Sequence, residues 1–273
     1  MSTITAADIN KLRQATGAGM MDCRKALTES NGDFESAIDW LRKQGQKVAA
    51  KRSDREAKEG VIIAKTIAGN KAGIVLCISC ETDFVSKNAD FVAFAQSIAD
   101  AAIANDVKSA EELNNVEING AKVSDMINDK LAAIGEKIEV SKFERIEAPF
   151  VASYIHGANR MGVLVGMTLE AAEAGKDVAM QIAAMNPLAV DETSIAPEVI
   201  AREKDIAIEL VKAEGKPAEM AEKIAMGKLN KFFKDNTLMA QAFVKDGNQS
   251  VAQYLTSIDA NLKVTEFKRV ALG

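Results

Sequence analysis

Residues 61–79 contain two β-rich runs, Val61-Ile62-Ile63-Ala64-Lys65-Thr66-Ile67 and Gly73-Ile74-Val75-Leu76-Cys77-Ile78-Ser79, joined through Ala68-Gly69-Asn70-Lys71. Branched aliphatic residues suit a pleated surface, and Gly-Asn between two such runs is a turn signal, so this stretch predicts an antiparallel hairpin. A turn is expected at Glu81 to Lys87. A helix follows from Asn88 to Asn105, with Phe91, Phe94, Ile98 and Ile103 recurring on one face. The same order recurs downstream. Val151 to His156, the turn Gly157-Ala158-Asn159 and Met161 to Leu169 read as a second hairpin, followed by a helix from Lys176 to Met185. Two α+β subdomains are the simplest account.

Upstream, the pattern is helical. Thr5 with Asp8 forms a capping-box signal, and Ile4 with Ile9 a hydrophobic staple, for a helix that stops near Gly17. A second helix carries Met20, Met21, Cys23, Ala26 and Leu27. Asp33 starts a third, with Phe34, Ala37, Ile38, Trp40 and Leu41, expected to end at Gly45. Residues 46–59 are charged, lack a clear apolar face and read as a linker or an exposed helix. Residues 197–234 predict two helices. Pro197 opens the first, on which Val199, Ile206, Leu210 and Ala213 form the stripe. Gly215 ends it, Pro217 opens the second, and Met220, Ile224, Leu229 and Phe232 are carried on that one. Each arm would reach roughly 25 Å. A short helix near Val251 to Leu255 and an alternating strand from Lys263 to Val270 complete the pattern.

The resulting expectation is an α+β fold: an N-terminal three-helix bundle, a core of two α+β subdomains with antiparallel sheets, and a protruding antiparallel coiled-coil hairpin. The expected division is 1–55, helical domain and linker; 56–145, first core subdomain; 146–196 with 243–273, second core subdomain; and 197–242, the inserted hairpin.

The chain has 273 residues, is 48% hydrophobic and 27% charged, and has a formal net charge of −5. That composition fits a globular protein and argues against nucleic acid as the main partner, because phosphate binding needs clustered cations. Three cysteines fit a reducing compartment. No N-terminal secretory pattern and no uninterrupted run of 18 apolar residues occurs, so a cytoplasmic protein without a membrane partner is expected. No phosphate-cradling glycine loop is present, and His156 is the sole histidine, which leaves no hydrolytic triad or histidine-rich metal site. Neither an enzyme, a metal site nor a cofactor is expected. Cys77-Ile-Ser-Cys80 is a Cys-x-x-Cys pair, but it ends a strand instead of opening a helix, so packing is the plainer reading and thiol redox chemistry the alternative.

Three stretches carry a more specific signal. Leu12-Arg13-Gln14-Ala15-Thr16-Gly17-Ala18-Gly19-Met20-Met21-Asp22-Cys23-Arg24-Lys25-Ala26-Leu27 resembles the N-terminal signature of the elongation factor Ts family. Cys80-Glu81-Thr82-Asp83-Phe84-Val85-Ser86-Lys87 resembles its second signature, and Tyr154-Ile155-His156-Gly157-Ala158-Asn159-Arg160-Met161-Gly162-Val163-Leu164 a third stretch, in the family's order and spacing. The resemblance covers essentially the whole chain. Departures are Arg24 for a usual lysine, and Cys77 and Ser79 for usual Glu and Asn. No further C-terminal module, such as some relatives carry, is expected after Gly273.

The resemblance implies a guanine-nucleotide exchange factor whose partner is elongation factor Tu, and makes the N-terminal bundle UBA-like. It implies that Thr82, Asp83, Phe84 and Val85 disturb the partner's magnesium site, that Leu12, Met20, Met21 and Arg24 meet its GTPase domain, and that His156 meets its far domain. The coiled coil is expected to supply a second contact or a dimer contact. From the residues alone, Phe84 could equally tuck under its own hairpin while Asp83 caps the turn. Met20 and Met21 could fill a core, though adjacent residues cannot share one helix face, and His156 could be structural. A rival of another class is a helical adaptor that binds through residues 1–45.

Overall fold

The computed structural model describes residues 4–52, 54–67, 69–213 and 218–273. It is a mixed α/β protein with antiparallel sheets. Helix α1 (Ala6–Thr16) begins at the Thr5–Asp8 capping box and ends at Gly17, whose left-handed φ of 70° closes the last turn. Helix α2 (Met20–Glu29) and helix α3 (Phe34–Arg52) follow, and the Asp33 carboxylate accepts the Ser36 N–H at 2.8 Å at the start of α3. Leu12, Cys23, Ala26, Leu27 and Ala37 form the buried core of these helices, with Trp40 and Leu41 at its edge.

Helix α3 does not stop at Gly45. It continues to Arg52, so residues 46–52 are helical and not a linker. The reason is tertiary. A Cβ at Gly45 would lie 3.0 Å from the Ala132 Cβ and 3.3 Å from the Asn128 carbonyl, so the glycine is where α3 closely crosses a later helix, α7 (Val123–Ile134). Val48, one turn on, packs into the neighbouring core. Those contacts outweigh glycine's helix penalty of about 1 kcal/mol.

Strands β1 (Glu59–Thr66) and β2 (Ala72–Cys80) form the expected hairpin, with Glu59 opposite Cys80. The expected turn at 81–87 is a one-turn helix, α4 (Asp83–Ser86), and α5 (Ala89–Ala104) starts under the cap of Asn88. Residues 106–147, for which the sequence reading names no element, form α6 (Ala110–Asn115), the short strands β3 (Glu117–Ile118) and β4 (Ala121–Lys122), α7 (Val123–Ile134) and β5 (Glu139–Glu147). Strand β5 pairs with β2, so β2 is central and all of its residues are buried.

Strands β6 (Phe150–His156) and β7 (Met161–Met167) make the second hairpin, followed by α8 (Ala172–Met185). A 3-10 turn (Glu192–Ser194), α9 (Pro197–Ala213), α10 (Ala218–Asn236), β8 (Ala242–Phe243), β9 (Asp246–Ser250) and α11 (Val251–Ile258) come next, and β10 (Val264–Ala271) returns to pair with β7. Helices α9 and α10 bury Ala207 and Val211 against Ala225 and Leu229. Val199, Ile206 and Leu210, expected as the stripe, are exposed. The buried face of α9 is offset by one position from the expected stripe, with Ala207 and Val211 in place of Ile206 and Leu210. The expected connection through Gly215 and Pro217 lies outside the described residues.

The two sheets pack face to face. Ile62, Val75 and Cys77 from the first meet Val151, Leu164 and Val270 from the second. Helices α5 and α7 cover the outer face of the first sheet, around Ile74, Leu76, Ile78 and Phe91. Helices α8 and α11 cover that of the second, around Val163, Val165, Val178 and Val251. Among the described residues, no helix is long and apolar enough to cross a membrane.

Candidate functional site

The end of β2 is where the site begins. Glu81, the next residue, has a side chain only 16% exposed and lies 2.9 Å from both Arg52, at the end of α3, and Arg55. Its carboxylate also accepts the Lys137 N–H at 2.6 Å. That backbone donor above all, with Arg55 and Arg52, holds the Glu81 pKa down at about 2. A second carboxylate crosses in the opposite direction. Glu136 accepts the N–H groups of Glu81 and Thr82 at 3.1 and 3.0 Å and the Thr82 hydroxyl at 2.7 Å.

Helix α4 stands on this clasp. Val85 packs into the first core, and a helix turns about 100° per residue, so the adjacent Phe84 points away from the body. Phe84 is 85% exposed, the most exposed of the large hydrophobic residues described. It does not tuck under its hairpin. Asp83 is paired with Lys87 at 2.7 Å, and the Lys87 hydrogen bond holds its carboxyl below the usual range. Thr82 faces inward to Glu136.

The N-terminal helices approach the same place. Thr16 and Gly17, at the junction of α1 and α2, share with Phe84 and Val85 a cavity of about 550 Å³ whose far wall is α7. Beyond that junction Met20 and Met21 are 52% and 72% exposed, and Arg24 is exposed one turn on. Leu12 is fully buried in the helical core, so it supports this surface from beneath and does not face outward. His156 ends β6, exposed, with its Nδ1 3.0 Å from the Tyr154 hydroxyl. Its loop is fixed to the first sheet, because Arg160 pairs with Glu59 at 2.8 Å and Glu59 lies opposite Cys80 in the ladder. The β6–β7 loop and α4 therefore occupy the same end of the first hairpin.

Comparison with known proteins bears on this arrangement. The family model described as "Elongation factor TS" matches residues 81–273, beginning at Glu81 of the clasp. The chain belongs to the elongation factor Ts family. It is 51% identical to Elongation factor Ts of Christiangramia forsetii and 52% identical to that of Flavobacterium psychrophilum, with all of each chain covered in both cases. Elongation factor Ts of Methylococcus capsulatus is 45% identical, with 99% of this chain and 92% of that one covered.

In this member of the family the Cys-x-x-Cys pair does not form a dithiol site. Side chains alternate along a strand, so an odd separation of three places Cys77 and Cys80 on opposite faces of β2. Cys77 lies between the sheets and Cys80 under the helices. Burial, reinforced by the charges of Glu136 and Glu59, pushes the Cys80 thiol up to about 12. Among the described residues no group of three His, Cys, Asp or Glu side chains could hold a metal ion.

Sequence reasoning missed Glu81, Glu136, Arg52 and Arg55. The two arginines sit in a charged run that looks solvated. Glu136 acts on residues 54 and 55 positions away in the chain, and no local pattern announces such a pairing. The sharp stop of α7 at Gly135, left-handed at φ 79°, was the available clue that the next residue is turned to a defined place.

Proposed function

We propose that this protein is a guanine-nucleotide exchange factor for elongation factor Tu in translation elongation. The observation that carries the mechanism is Phe84, a large apolar side chain exposed on a helical turn that is itself held from beneath. Exposing a phenylalanine has no folding benefit, whereas burying it in a partner contributes about 1.5–3 kcal/mol. Thr82, Asp83, Phe84 and Val85 act as one element. Phe84 enters the partner beside its magnesium site, Asp83 exchanges Lys87 for donors of the partner, and Thr82 and Val85 fix the turn. Met20, Met21 and Arg24 hold the GTPase domain, with Leu12 shaping their helix, and His156 touches a further domain.

The protein breaks no covalent bond. It binds the GDP form, lowers nucleotide affinity and is released when GTP enters. Linkage makes that antagonism reciprocal. Phe84 alone accounts for about a hundredfold at most, because each factor of ten needs about 1.4 kcal/mol. The N-terminal and His156 surfaces supply the remainder.

The finer architecture belongs to the same reading: a UBA-like bundle with linker in 1–55, core subdomains in 56–145 and 146–196 plus 243–273, and a coiled-coil hairpin in 197–242 that makes a second contact or a dimer contact. It works in the cytoplasm, without nucleic acid or membrane as partner. Release of a fluorescent GDP from elongation factor Tu tests the proposal. Acceleration by the wild type that drops for Phe84→Ala supports it, and no acceleration by the wild type overturns it. The adaptor reading instead requires that deleting residues 1–45 remove all binding.

A further inference from the structure

We infer that Glu136 is a positioning residue for exchange, and that its carboxylate is what aims Phe84; this rests on the exchange function proposed above. Helix α4 has four residues, Asp83–Ser86. A single turn gains too little from its own hydrogen bonds to offset nucleation, so its place must be set from outside. Phe84 cannot set it, because its side chain is almost wholly in solvent. Thr82, at the N-cap, forms no side-chain bond to the helix it precedes, although a threonine there ordinarily does. Its hydroxyl is given instead to Glu136 Oε1 at 2.7 Å.

Glu136 is suited to that task. It directly follows Gly135, where α7 ends on the Leu131 carbonyl, so a long helix fixes its backbone. Its Oε2 receives two successive N–H groups, from Glu81 and Thr82, which defines the direction in which the chain leaves β2. The clasp is reciprocal, since Glu81 accepts the N–H of Lys137, the residue after Glu136. Arg52 and Arg55 on Glu81 tie the same joint to the end of α3. Segments 81–82 and 136–137 are thus bonded in both directions, and Phe84 stands two residues beyond. Glu136 is placed beneath the turn and need not touch the partner.

The test separates aim from contact. Fluorescent GDP release from elongation factor Tu is measured over a range of concentrations of the full-length protein, giving a saturating rate and a half-saturating concentration. Glu136→Ala removes the acceptor of all three bonds, and the saturating rate should fall about tenfold, the worth of one charge-assisted hydrogen bond. The half-saturating concentration should stay within about threefold, since Met20, Met21 and His156 are untouched. Glu136→Gln should restore the rate. The amide oxygen can accept both N–H groups while the amide NH₂ donates to the Thr82 hydroxyl, which accepts as readily as it donates. Glu136→Ala at the wild-type rate overturns the inference. So does a rise in half-saturating concentration at unchanged rate, which marks a contact residue, or a glutamine variant as slow as alanine, which marks a need for the charge. If Glu136→Ala fails to fold, Thr82→Val deletes one limb of the clasp alone, and a slowed or unchanged saturating rate decides in the same way. A wild type without activity would instead sink the exchange reading itself.

Discussion

Asn159 holds both backbone polar groups of Ile62. Its own carbonyl accepts the Ile62 N–H at 2.8 Å, and its side-chain amide donates to the Ile62 carbonyl at 3.0 Å. Ile62 is in β1, an edge of the first sheet, and Asn159 is in the loop between β6 and β7 of the second. One residue therefore pairs with an open strand edge as a further strand would, and joins the sheets. Asparagine suits the place because its φ of 67° is left-handed, a conformation it tolerates better than most residues.

Asn159→Ala keeps the backbone bond and orphans the carbonyl of a residue with no solvent exposure. A buried unsatisfied group costs about 1–3 kcal/mol. The urea midpoint should fall accordingly with an unchanged slope, and a loss under about 0.5 kcal/mol, the scale of an ordinary surface change, would contradict this account.

Gly162 lies where the sheets approach. A Cβ there would meet Ile62 Cγ2 and Val75 Cγ2, each at 2.8 Å. Both neighbours are fully buried branched residues in strands, so neither can move freely. Gly162→Ala should destabilise by about 1–3 kcal/mol through overpacking, seen as a lowered melting temperature. Unchanged melting would show that the sheet interface is looser than described.

Phe84→Ala should separate function from stability. With Phe84 85% exposed, removal of its ring should leave thermal melting unchanged. GDP release should slow about ten- to hundredfold, the value of burying one phenylalanine. A parallel loss of melting temperature would show that Phe84 serves the fold.

The thiols should be inert. Cys23, Cys77 and Cys80 are buried, and desolvation raises the thiols of Cys23 and Cys80. A thiol-specific disulfide reagent at mildly alkaline pH should find none in the native protein and three after denaturation. Rapid labelling of a native pair would revive a dithiol role.

Acid should act through Glu81. Its pKa is lowered from 4.5 to about 2, so the folded state binds fewer protons than the unfolded one through that window. The stabilisation is complete above pH 4.5 and lost as pH falls towards 2. Glu81→Gln should flatten the pH dependence of unfolding free energy between those limits, and an unaltered slope would refute the assignment.

The two hairpins, the Thr5–Asp8 capping box, the stop at Gly17 and the closing strand were legible in the sequence, because each rests on contacts a few residues apart. The separation of Cys77 from Cys80 was not read there, although strand alternation implies it once β2 is known to run through both. Nor was the extent of α3 legible. Gly45 reads as a helix stop, and only Ala132 and Asn128 across the interface explain why the helix continues. The seam between α9 and α10 was misread by one position: the larger Ile206 and Leu210 dominate a hydrophobic pattern, while the neighbouring Ala207 and Val211 are the residues buried.

For the candidate site, local order placed Phe84 in a polar turn after a buried strand, and adjacency required one of Met20 and Met21 to face outward. What sequence alone left open was whether Phe84 turns in or out, and what holds it. The tertiary structure decided both. Val85 takes the core-facing position, which drives Phe84 into solvent, and Glu136, just past the end of α7, accepts the Thr82 hydroxyl from beneath the turn. Secondary-structure signals are written in neighbouring residues because backbone hydrogen bonds and side-chain periodicity are local. The aim of an exposed side chain depends on groups brought together by packing, and no spacing in the chain encodes them.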